Sequence, residues 1–108
     1  MKELVWTPEA IQNRDDIYDY VEARNPLAAV ALDDLFSERA GVLRDHPGSG
    51  RAGRVPGTQE LVVHQHYVLV YDVTEGQVRV LNVVHTARHW PPSPGKQGRT
   101  IQEAPPLS

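Results

Sequence analysis

The 108-residue chain is 40% hydrophobic and 23% charged, a composition that excludes a disordered chain and supplies one hydrophobic core rather than two. With no cysteine, it excludes disulfides, thiolate metal sites and cysteine nucleophiles. The net charge of -3 argues against a strong non-specific nucleic-acid binder, but it is unevenly spread: residues 1–46 hold ten acids and five bases, the remainder four acids and six bases. Any anion-binding surface is therefore expected in the second half.

The opening MKELVWTPEA carries acids early and has no long apolar run, so it does not read as a secretory signal. No stretch approaches the ~20 apolar residues of a membrane span. The expectation is a soluble, cytoplasmic protein without membrane association.

Residues 2–6 lean apolar and predict a short strand. Thr7-Pro8-Glu9 is a helix start, because threonine can cap free amides and proline suits the first turn. Ile11, Ile17, Tyr18 and Val21 then recur at helical spacing, with Asp15, Asp16, Asp19 and Glu22 mainly on the other face, predicting a helix over 8–23. Asn25-Pro26 repeats the start signal, and Leu27, Val30, Ala31, Leu35, Val42 and Leu43 mark a second helix running to about residue 45. So short a link makes the two an antiparallel hairpin. His46-Pro47-Gly48-Ser49-Gly50 ends it.

Residues 60–63, 67–73 and 78–85 are dense in valine, leucine and tyrosine and predict three strands joined by short turns at 64–66 and 74–77. The chain therefore reads as an α+β protein of order β-α-α-β-β-β. Its antiparallel meander packs on the helical hairpin, with the first strand added at an edge. Beyond Trp90 the sequence turns rich in proline and glycine, giving a domain over 1–91 and a flexible tail over 92–108.

Three clusters carry candidate chemistry. Gly50-Arg51-Ala52-Gly53-Arg54-Val55-Pro56-Gly57-Thr58 sets two guanidiniums among exposed amides, a combination suited to phosphate or carboxylate. Its spacing is not that of an ATP or GTP loop, and the plain alternative is a solvated loop. The strand end at 85–90 gathers His85, Arg88 and Trp90. These are a proton-exchanging imidazole, a guanidinium able to stabilise a crowded phosphate, and a ring able to stack on a base. The alternative is that His85 ends a strand and Trp90 seals the core. His64 and His66, two apart, read as surface turn residues in preference to metal ligands, since no acid or cysteine supports them at recognised spacing.

The string GRAGRVPGTQELVVHQHYVLVYDV, followed after a short turn by VRVLNVVHTARHW, resembles the RelE/ParE superfamily of bacterial toxins. Asn25-Pro26-Leu27-Ala28-Ala29 and Asp16-Ile17-Tyr18-Asp19-Tyr20 are similar too, so the likeness covers roughly residues 2–91. It implies the toxin of a type II toxin–antitoxin pair, with a cognate antitoxin as partner and no cofactor or metal. DNA binding by this chain alone is not implied. Two activities follow from the resemblance. RelE-like members cut ribosome-bound mRNA through the 2′-hydroxyl; ParE-like members poison DNA gyrase without catalysis.

The first is the leading expectation. Arg51, Arg54 and Arg88 would hold the phosphate, His85 would move a proton, and Trp90 would contact the substrate. His85, Arg88 and Arg54 would be the catalytic set of a metal-independent endoribonuclease. Two departures stand against it: valine at Val68, where RelE-like nucleases often have arginine in a Tyr-Arg-Leu-Val-Tyr-like strand, and Gln59, where relatives often show arginine.

Overall fold

A computed structural model describes residues 1–87. Its elements are β1 (Glu3–Trp6), α1 (Pro8–Glu22), α2 (Pro26–Val42), β2 (Arg51–Ala52), β3 (Gln59–His64), β4 (Tyr67–Val73) and β5 (Gln77–His85), with a short 3-10 turn over Pro47–Ser49. Both helix starts form as their residues dictate. The Thr7 hydroxyl accepts the Ala10 N–H at 3.2 Å and the Asn25 side-chain Oδ1 accepts that of Ala28 at 3.1 Å, each with proline in the first turn.

The strands form one five-stranded sheet of order β1-β5-β4-β3-β2. The meander is antiparallel as expected, and β1 does lie at an edge, but it runs parallel to β5, which makes the sheet mixed. The reason is topological: the helical hairpin carries the chain away from β1 and across one face before the meander begins. The short strand β2 lies inside the arginine-bearing segment, expected to be loop, and extends the opposite edge.

One irregularity in β5 positions α1. Val70 pairs with Asn82 and Tyr71 with Val80, so Leu81 is an extra residue, a β-bulge. Because side chains alternate along a strand, the bulge shifts the inward set, and Val78, Val80 and Val83 all reach the core. Polar side chains of the helix start satisfy the backbone there. The Thr7 hydroxyl lies 3.0 Å from the Val80 carbonyl, and Asn13 Oδ1 accepts the Val83 N–H at 2.9 Å.

The core lies between the hairpin and one sheet face, with Phe36, Ala40 and Leu43 of the α2 side meeting Leu61, Leu69, Tyr71, Val78 and Val80. The packed face of α2 only partly follows the one its apolar spacing marked, for Leu43 is buried and Leu35 half-buried as that spacing implied. Leu27 is 82% exposed and Val30 and Ala31 face outward, while Ala29, Phe36 and Ala40 are buried. Arg14 joins three elements. Its guanidinium lies 4.5 Å over the Trp6 ring, pairs with Asp33 at 2.8 Å and donates to the Ser37 hydroxyl at 3.0 Å. Among the described residues, no helix is long and apolar enough to cross a membrane.

A carboxylate-bridged groove on the outer sheet face

The sheet face away from the helices carries a groove of about 250 Å³, lined by Arg51, Arg54, Glu60, Val62, Val68, Val70, Val84, His85 and Thr86. Its floor is made of the alternate side chains of β3, β4 and β5, the partners of those that fill the core. Three of the residues singled out from sequence, Arg51, Arg54 and His85, are brought together here. Arg88 and Trp90 lie outside the described residues.

Glu60 is the residue that sequence reasoning missed. It sits directly across from Arg51 in the β2–β3 pairing and is only 3% exposed. A carboxylate so placed must be compensated, since leaving an ion buried and unpaired is costly. Its Oε1 lies 3.4 Å from Arg51 Nη2, and its Oε2 accepts the Arg54 backbone N–H at 3.1 Å and lies 3.9 Å from Arg54 Nε. Both guanidiniums remain more than half exposed, at 59% and 56%. The signal was present in the sequence: an acid heads the strand just after an arginine loop, two residues before Val62 on the same face.

The glycine-rich segment does not offer its amides as a cradle. The Gly53 N–H goes to the Thr58 carbonyl at 2.8 Å, the Gly50 N–H to the Tyr71 hydroxyl at 2.9 Å, and that of Arg54 to Glu60. Gly50 is glycine because of this closeness: a Cβ there would stand 2.6 Å from the Tyr71 hydroxyl and 2.7 Å from the Glu60 carbonyl oxygen. At Gly53 a Cβ would collide with Thr58. Tyr71 in turn donates towards the Pro47 carbonyl at 2.8 Å and the Gln59 side-chain oxygen at 2.9 Å, and burial pushes its phenol above the usual value. Gln59 thus props the buried tyrosine, and Val68 paves the groove floor. These are the two positions where the resemblance led to arginine.

His85 stands at the groove's end, held in a small aromatic cluster. Its ring meets Tyr67 edge to face with centroids 5.2 Å apart and stacks with His66 at 5.5 Å. Its Nδ1 accepts the Ala87 N–H at 3.0 Å, which places the proton of the neutral ring on Nε2. His64 Nδ1 likewise accepts the His66 N–H at 3.0 Å, and burial, then the charge of His66, holds His64 below the usual imidazole range. Among the described residues, no group of three or more histidines or acids is placed to hold a metal ion.

Comparison with known proteins accords with this architecture. The family model for the ParE toxin of the type II toxin–antitoxin system parDE matches residues 4–90. The Sinorhizobium fredii protein Y4kP is 33% identical over 91 residues, covering 83% of this chain and 94% of its own length. Toxin RelE2 of Caulobacter vibrioides is 34% identical over 88 residues, covering 82% of this chain and 99% of its own. The chromosomal ParDE toxin–antitoxin system of P. aeruginosa contains a chain that superposes with a TM-score of 0.72 at 25% identity, covering 79% of this chain and 96% of that one. The chain belongs to the ParE toxin family, within the RelE/ParE superfamily of type II toxin–antitoxin toxins.

Proposed function

We propose that this toxin acts by occupying a protein target, as ParE-like members occupy DNA gyrase, and not by cutting message. The observation that carries this reading is Glu60. Its carboxylate engages both arginines and one amide of the segment that a phosphate would need, above a floor of four valines. Such a groove suits aliphatic side chains of a protein segment better than a polyanion. His85 supports the same reading. Its Nδ1 accepts the Ala87 N–H, so that nitrogen is engaged by the chain's own backbone and not turned to a ligand.

A cognate antitoxin is the proposed partner that restrains the toxin, in line with the toxin–antitoxin system to which the superposed chain belongs. Cytoplasmic action follows from either target. The second reading, a ribosome-dependent endoribonuclease, is favoured by one specific fact: Arg51, Arg54 and His85 line a single groove.

Induction of the chain without antitoxin separates the two. The expected result is loss of plasmid supercoiling with full-length message preserved. Message cleaved in a translating extract by the wild type, and spared by His85→Ala and Arg54→Ala, would overturn the protein-target reading in favour of the nuclease.

A further inference from the structure

The groove couples a strongly apolar floor to a cation pair that is half-neutralised from within. Among the described residues that line it, Arg51 and Arg54 contribute two positive charges and Glu60 one negative, which offsets half of them. Glu60 cannot easily turn aside: it is 3% exposed, and its Oε2 is fixed by the Arg54 N–H at 3.1 Å. A nucleic-acid strand brings one negative charge per nucleotide, and at the exposed guanidiniums it would lie within the repulsive field of this buried, fixed carboxylate.

We propose that Glu60 is the specificity-determining residue of the groove, a built-in carboxylate that holds Arg51 and Arg54 in register and excludes single-stranded nucleic acid from a site otherwise equipped to bind it. Glu60 thus positions the arginines and limits their reach. The inference deepens the protein-target reading and rests on it for its biological sense, but its physical content, rejection of a polyanion by one side chain, is tested separately.

The test is fluorescence anisotropy of a short labelled single-stranded RNA with the purified full chain, free of antitoxin, at low and then rising salt. Wild type and Glu60→Asp, which keeps the charge, are expected to bind equally weakly. Glu60→Gln, nearly isosteric and still able to accept the Arg54 N–H, is expected to bind about tenfold tighter or more, with the gain fading as salt rises.

Wild-type binding as tight as that of Glu60→Gln would overturn the proposal. So would a folded Glu60→Gln with no gain, or an equal gain in Glu60→Asp. If Glu60→Gln does not fold, Glu60→Met, neutral and of similar length, decides: a salt-sensitive gain supports the proposal and none overturns it. Plasmid supercoiling by the wild type bears only on the protein-target reading, so failure of one leaves the other standing.

Discussion

Strand β4 shows two uses of the same kind of residue. Its sequence Tyr-Val-Leu-Val-Tyr is buried throughout, yet Tyr67, Leu69 and Tyr71 point into the core while Val68 and Val70 floor the groove. Inward, the partners are Phe36 and other apolar side chains. Outward, they are two arginines and a carboxylate. Burial alone therefore does not identify core in this protein; one sheet face packs on the helices, and the other floors the groove proposed for recognition.

The widest contrast between the faces should come from a pair of substitutions. Phe36→Ala empties the centre of the inner layer and is expected to lower unfolding free energy by about 3–5 kcal/mol, read from urea denaturation. Val62→Asp, at the half-exposed groove edge, should leave stability within about 0.5 kcal/mol while abolishing growth arrest on induction. A large stability loss in Val62→Asp would erase the distinction.

A smaller effect belongs to Tyr71, the inner-face residue whose hydroxyl reaches the outer loop. Tyr71→Phe leaves the Gly50 N–H without its partner and should cost about 1–3 kcal/mol by the same measurement. The arginine segment should also become more susceptible to protease, because this hydroxyl is what fixes Gly50 beside the sheet.

The smallest effect concerns His64. Its folded-state pKa lies below 6.5, from burial first and the His66 charge second, so the unfolded chain takes up the proton first as pH falls. Its contribution to stability is complete above 6.5. It declines as pH drops from there towards the depressed value, and then levels off. His64→Asn should flatten that part of the stability–pH curve; an unchanged slope would mean that the turn does not hold the ring.

Local chemistry made much of this architecture readable beforehand. Thr7-Pro8 and Asn25-Pro26 fixed the helix starts to the residue, since capping is decided by neighbours along the chain. What stayed hidden depended on neighbours across the sheet. α2 is apolar on nearly all sides, so its spacing could not show that Ala29 and Phe36, and not Leu27 and Val30, would be covered. β4 lacks alternation for the same reason. At the candidate site the arginines and His85 were visible as residue types, but Glu60 acquires meaning only when β2 pairs with β3 and sets Arg51 opposite it. The glycines misled in a related way: their amides looked available until Thr58 and Tyr71 closed on them.

The strand order has a consequence for the chain as it is made. β5 is the last of the described strands to leave the ribosome, yet it lies between β1 and β4 and carries the backbone groups that Thr7 and Asn13 engage. Until residue 85 has emerged, the amino-terminal strand has no neighbour in the sheet, and the helix that follows it has mainly the second helix to pack against. A nascent chain halted at Gly76 is accordingly expected to show no cooperative thermal transition by circular dichroism. The sheet is thus completed only when translation of the domain is all but finished.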